Sequence, residues 1–237
     1  MKPEQIFSTY IQEDNKNLFE VFNDKTLNID WKNVSILDYG CNQGNYLNSA
    51  REFINIDNYI GADITQLSIL NASMNHVDCK FLHYDKWHQA YNPNGDKNIK
   101  LSYVLNQKFD VILCYSVFTH NTIEQAKEEL EDLKKLLNPN GVILFTIWRK
   151  EIFEPFSKWI LERFDNVEPI DFESLQYAKH AYWLDTSRVV TDTDNFESSD
   201  YKSFNTYYNL EWFKNEMKPA VHLGMPLNQY QDLFYLK

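Results

Sequence analysis

The sequence predicts an α/β protein: a seven-stranded, mostly parallel sheet with helices on both faces and an antiparallel hairpin at the C-terminus. Three observations carry this reading. Short apolar runs alternate with amphipathic stretches from Val34 to Trp148, the pattern of a parallel sheet whose crossovers are helices. The first run ends in the carboxylate of Asp38 and turns through Gly40 and Gly44 into an amphipathic segment, a passage from buried strand to tight loop to helix. The last two apolar runs are joined by a short connection, as antiparallel neighbours allow.

In chain order, residues 4–23 carry Ile6, Tyr10, Ile11, Leu18, Phe19 and Phe22 at near-helical spacing. This N-terminal helical segment, residues 1–30, either packs on the domain edge or folds over a ligand with Tyr10 reaching it. The first strand is Val34 to Asp38, and its helix runs from about Asn45 to Phe53. The second strand, Tyr59 to Asp63, ends in another acid. Thr65 to Met74 reads as a helix with Leu67, Leu70 and Met74 inward. Lys80 to His83 is the third strand, followed by Tyr84 and Asp85. Residues 86–108 hold the turn signal Asn92-Pro93-Asn94-Gly95-Asp96 and read as an irregular connection.

Phe109 to Tyr115 is the clearest buried strand, with Asp110 a turn or strand-edge residue. Thr122 and Gln125 form a capping box. The helix it opens has Ile123, Ala126, Leu130, Leu133 and Leu137 on one stripe, and Asn138-Pro139-Asn140-Gly141 closes it. Val142 to Trp148 is the fifth strand. Glu154 to Phe164 reads as helical, whereas residues 165–208 are aromatic-rich and acidic with no sustained period, an insertion expected to cap an acceptor site. A short helix from Tyr208 to Met217 precedes the final strands, Ala220 to Leu223 and Asp232 to Leu236. Right-handed crossovers gather the loops after the strands on one edge, where open α/β sheets bind ligands.

The 237 residues suit a single domain spanning 1–237, and 43% hydrophobic content supplies an ample core. The longest apolar run, Val142 to Trp148, is too short to cross a bilayer, and the first residues lack a signal-peptide pattern. Cys41, Cys79 and Cys114 have no paired spacing, which points to reduced thiols and a cytoplasmic protein. A formal charge of −11 argues against nucleic acid as a partner. No cluster of His, Asp and Glu has metal-site spacing. Oligomeric state is left open.

The opening loop is suited to a nucleotide-like small molecule. Its glycines let backbone approach a ligand, and the helix start beyond them offers unpaired N–H groups. A dinucleotide fingerprint needs a third close glycine, whereas the pattern here is Asp38-x-Gly40-x-x-x-Gly44. An acid before the first glycine favours a ligand carrying an ammonium or sulfonium.

Four further stretches follow the loop motif Leu37-Asp38-Tyr39-Gly40-Cys41-Asn42-Gln43-Gly44 in order. They are Ile60-Gly61-Ala62-Asp63, Phe81-Leu82-His83-Tyr84-Asp85, Phe109 to Ser116 and Leu136 to Val142. Together they resemble the motifs of class I, Rossmann-like S-adenosylmethionine-dependent methyltransferases, over residues 30–150 well and 208–237 loosely. The resemblance implies S-adenosyl-L-methionine as cofactor, with the second-strand acid bonding both ribose hydroxyls and the third-motif acid facing the adenine amine. The implied cofactor contacts are Asp38, Gly40, Cys41, Asn42, Gly44, Asp63, Ile64, Tyr84, Asp85 and Ser116. Asp63 also reads as a helix N-cap, and Asp85 as a solvated loop acid.

The implied reaction displaces a methyl group from sulfur in line, with the enzyme supplying alignment and a dry site. A hydroxyl acceptor also needs a base. Candidates are His120, His180 and Asp185. His120 reads equally as a tie between its loop and the next helix, and His180 as part of a packed lid. The fourth strand lacks the Asn/Asp-Pro-Pro-Tyr run of amino methyltransferases, and no Pro-Cys pair supplies a cytosine-attacking thiolate. An oxygen on a small-molecule or saccharide-like acceptor remains, with small-molecule N-methylation or a non-catalytic cofactor-binding regulator as the alternatives.

Overall fold

Five of the expected strands form the parallel body of the sheet: β1 (Ile36–Tyr39), β2 (Tyr59–Asp63), β3 (Lys80–His83), β4 (Phe109–Cys114) and β5 (Leu137–Arg149). The computed structural model describes residues 17–149, 181–185, 204–225 and 231–237. The strand order β3-β2-β1-β4-β5 steps one way from β1 and the other way to β4. Asp38 lies opposite Gly61 on one side and Leu113 on the other. The sheet therefore switches direction between β1 and β4, and the crevice at their C-terminal ends is where such sheets take ligands.

Strands buried on both faces explain the continuous apolar runs. Leu37 and Tyr39 pack into one core cluster with Ile112, Phe145 and Phe234. Ile36 packs into the other, with Phe19, Phe22, Tyr46 and Leu113.

Helices α1 (Leu18–Phe22), α2 (Leu47–Ala50), α3 (Gln66–Asn75), α4 (Leu101–Val104), α5 (Ile123–Lys134) and α6 (Leu210–Glu216) flank the sheet. The α5 capping box is complete: Gln125 N–H donates to Thr122 Oγ1 at 3.2 Å and Thr122 N–H to Gln125 Oε1 at 2.8 Å. Leu137, read as the end of the α5 stripe, is instead the first residue of β5.

The inward face of α3 differs from the one read in the sequence. Leu67, Leu70 and Met74 are 65%, 54% and 76% exposed, and Ile69 and Ala72 are buried instead. The helix offers two apolar stripes, and the one with small Ala72 faces inward, allowing closer approach to the sheet. The 86–108 connection is also more ordered than expected: Lys86 bridges Asp96, His88 bridges Asn92, and α4 follows.

At the C-terminus β8 (Val221–Gly224) and β9 (Gln231–Leu236) pair antiparallel, and β9 runs antiparallel to β5. The expected hairpin strands form. Two strands beyond the expected seven arise within the stretch read as aperiodic: β6 (Ala181–Asp185) and β7 (Phe204–Tyr208), antiparallel to each other. Among the described residues the sheet thus has nine strands. Trp148 of β5 pairs with Gln231 of β9 and with Tyr207 of β7. A strand has only two edges, so β7 lies on the β4 side of β5, past the end of β4. The expected helix at 154–164, His180 and Tyr10 lie outside the described residues.

Candidate active site

Three residues within five positions of the loop after β1 have left-handed backbone: Gly40 (φ 74°), Asn42 (φ 49°) and Gly44 (φ 81°). Glycine adopts this freely and Asn tolerates it better than most residues. The N–H groups of Gly40 and Cys41 donate to the Ala62 carbonyl at 2.8 and 3.1 Å, fastening the loop to the end of β2. Asn42 N–H donates to Asp63 Oδ2 at 2.9 Å, and Ser68 Oγ of α3 donates to Asn42 Oδ1 at 3.1 Å. A methyl on Gly40 would lie 2.5 Å from Val117 Cγ2, so the loop also packs closely on the turn after β4.

Two acids face this loop. Asp38 is buried and accepts from the Tyr59 hydroxyl at 2.7 Å. Burial pushes its carboxyl up to about 7, the Tyr59 bond opposing and the Asp63 charge adding to the rise. Burial also raises the Asp63 carboxyl, against the pull of the Thr65 and Asn42 N–H groups. Thr65 N–H donates to Asp63 Oδ1 at 2.7 Å, so the cap-like role is real. Each carboxylate oxygen has two lone pairs, and the backbone N–H groups of Asn42 and Thr65 take one on each, with the Thr65 hydroxyl as a further donor that a ligand hydroxyl can replace. Asp63 can therefore receive a pair of hydroxyls without losing its hold on the loop. Among the described residues the buried Tyr46 hydroxyl has no hydrogen-bond partner, and it lies within electrostatic reach of Asp38. Two desolvated acids, a diol-sized acceptor pair and an orphaned hydroxyl suit a ligand with a positive charge and a ribose.

The other expected contacts divide. Cys41 and Tyr84 are buried, with Tyr84 against the ring of Tyr39 at 6.0 Å, which leaves mainly their backbone for a ligand. Ile64 is half-buried at the end of β2, its carbonyl 3.1 Å from His83 Nε2. Asp85 is exposed and accepts from Asn92 Nδ2 at 2.9 Å, bracing its own loop. Ser116, left-handed at φ 57°, donates its N–H to Thr146 Oγ1 at 2.9 Å. Beneath these loops Tyr39 OH donates to the buried carboxylate of Glu129 at 2.9 Å, and Lys86 Nζ stands 3.3 Å from its other oxygen.

His120 ends the short turn after β4. Its Nδ1 lies 3.0 Å from the Tyr91 hydroxyl, and its ring meets Trp148 edge-on with centroids 5.8 Å apart. Trp148 in turn stacks on Tyr207 at 5.1 Å. His88 Nδ1 accepts the N–H groups of Ala90 and Tyr91, both at 3.2 Å, so the proton sits on Nε2 and is donated to the His120 carbonyl at 3.0 Å. The next carbonyl, of Asn121, accepts from Thr206 Oγ1 at 2.9 Å and Tyr208 OH at 2.6 Å. The 86–96 loop, the β4 turn and β7 thus converge on His120. Asp185 sits in β6 opposite Phe204, at the end of the ribbon away from Trp148. Asn42 was expected among the cofactor contacts, whereas Tyr91 and Tyr46 were not expected at the site and carry no local signal in the sequence. Among the described residues no group of three His, Cys, Asp or Glu can hold a metal, and no helix is long and apolar enough to cross a membrane.

Residues 37–143 match the model of a family described as a methyltransferase domain. The fold is similar to that of an S-adenosylmethionine-dependent methyltransferase from Clostridium acetobutylicum, with a TM-score of 0.58 and 13% identity over 99% of this chain and 96% of that one. A protein from Pyrococcus horikoshii is similar at a TM-score of 0.59 and 14% identity, over 94% of this chain and 92% of that one. So is magnesium protoporphyrin IX methyltransferase from Synechocystis, solved with bound SAH, at 0.54 and 12% over 95% of this chain and 86% of that one.

Proposed function

We propose that this chain, whose residues 37–143 match a methyltransferase domain, is a class I S-adenosylmethionine-dependent methyltransferase that methylates an oxygen of a small-molecule or saccharide-like acceptor. The cofactor supplies a methyl group activated on a sulfonium. Asp63 takes the ribose hydroxyls, and the left-handed backbone at Gly40, Asn42 and Gly44 lets the loop approach the ligand. Asp38 offsets the ligand's positive charge, and Cys41, Ile64, Tyr84, Asp85 and Ser116 complete the wall.

The observation that carries the oxygen reading is the contact between His120 and Tyr91 at the end of β4, on the same sheet edge as the two acids. A neutral hydroxyl must lose its proton as the methyl arrives, and a positioned imidazole can take it. A neutral amine is nucleophilic enough to attack before it loses a proton, so it has less need of this arrangement than a neutral hydroxyl. Orientation of a base by a third group is the pattern expected of such a site. The stack of Trp148 on Tyr207 is buried and fixes the ring of His120 from below, and the aromatic-rich sequence of residues 165–208 is our candidate for selecting the acceptor within a single domain. Cys41, Cys79 and Cys114 are free thiols, which supports a cytoplasmic setting.

The test is an acceptor screen with cofactor labelled with ¹³C in the methyl group. A methoxyl resonance on a hydroxylated product supports the reading. An N-methyl resonance on an amine, with hydroxyl acceptors inert, overturns it.

A further inference from the structure

The outward stripe of α3 meets solvent with large apolar side chains. Leu67, Leu70 and Met74 are 65%, 54% and 76% exposed, and Val77, just past the helix, is 85% exposed. Their spacing of three, four and three places them on one narrow seam, the geometry by which helices pair. From Ile64 to Val77 there is no Asp, Glu, Lys or Arg, in a chain whose formal charge is −11. Beside the helix, β3 ends the sheet and pairs only with β2 among the described residues.

We propose that this face is the interface between two copies of the chain, α3 against α3 across a twofold axis. A twofold contact needs a self-complementary surface, and an uncharged apolar seam meets its own copy without penalty. Over most of their surface two such acidic chains repel, and this is where they approach without like charges. A lipid surface fits poorly, because helices that lie on membranes carry Lys and Arg on the polar face, and α3 has neither. The helix is only about 15 Å long. Since stable interfaces bury about 1,200 Å² or more, the contact extends onto the open β3 edge. Charged Arg51 and Asp78, already paired with each other, form part of its rim. The first turn of α3 also holds the glycine loop through Ser68 and Asn42, so the dimer buttresses the cofactor loop from behind.

The experiment is sedimentation equilibrium of the full chain beside the double variant Leu70→Asp, Met74→Asp. The wild type is expected at twice the chain mass and the variant at the chain mass, with unchanged far-ultraviolet circular dichroism. If the Asp pair fails to fold, Leu70→Gln with Met74→Gln reads the same equilibrium with less perturbation. A wild type that stays monomeric at micromolar concentration overturns the proposal, and leaves the seam to another segment of this chain or to a different partner. A folded variant that remains dimeric overturns it too, by placing the dimer contact elsewhere.

Discussion

The backbone N–H of Asn42 donates to the Asp63 carboxylate at 2.9 Å, across 21 positions of sequence. One bond fixes two things: the left-handed turn of the glycine loop and the aim of the acid at the end of β2. The acid is thereby oriented before any ligand arrives, which lowers the ordering cost of binding.

Asn42 holds φ at 49°, where a β-branched residue is strained by about 1–2 kcal/mol. Asn42→Gly is expected to keep the melting temperature and the cofactor affinity near wild type. Asn42→Val is expected to lower the melting temperature by a few degrees and weaken cofactor binding. Differential scanning fluorimetry with and without cofactor measures both.

Gly40→Ala places a methyl 2.5 Å from Val117 Cγ2 at a φ of 74°. Cofactor affinity is expected to fall at least tenfold, about 1.4 kcal/mol. Adding Val117→Ala removes the clash but not the backbone strain, so the double variant should recover part of the loss. Equal affinities for the single and double variants would show that the clash is relieved in another way.

The Asp38 carboxyl, pushed up to about 7 from 3.8, gives two pH signatures. Between those values the folded state binds more protons than the unfolded state. Its contribution to stability is therefore complete below the lower value and is lost as pH rises through the upper one. Affinity for a cationic cofactor moves the opposite way, because ionised Asp38 attracts it. From about pH 6 to about pH 8 the ionised fraction of such a group rises about tenfold, and calorimetry should find affinity rising with it. In Asp38→Asn this pH dependence should disappear.

If His120 accepts the acceptor proton, His120→Ala should lower turnover by about 10²–10⁴-fold with cofactor affinity nearly unchanged. Tyr91→Phe removes the hydroxyl 3.0 Å from Nδ1 and should shift the pH–rate profile rather than cofactor binding. A His120→Ala enzyme with near wild-type turnover would assign proton removal to a different group.

Residues in buried strands were legible because burial on both faces writes a continuous apolar run, as at Ile36–Tyr39 and Phe109–Cys114. The capping box of Thr122 and Gln125 was legible because its parts are local. The facing of α3 was not, since Leu67, Leu70 and Met74 form a stripe as good as the buried one with Ile69 and Ala72. Tyr91 escaped because its partner lies 29 positions away, inside a connection whose turn residues give no sign of what they aim at. The β6 and β7 strands escaped because Tyr182, Trp183 and their neighbours mix aromatic and polar residues without a clean period of two.

Asp63 is where the loop, the sheet and the expected cofactor meet, so it gives the most direct test. Titration calorimetry of S-adenosylmethionine into wild type and Asp63→Ala, with folding of the variant checked by circular dichroism, should show clear binding to the wild type. Loss of two charge-assisted hydrogen bonds should cost the variant roughly 2–4 kcal/mol, at least tenfold in affinity. Wild-type affinity in a folded Asp63→Ala protein would contradict the account.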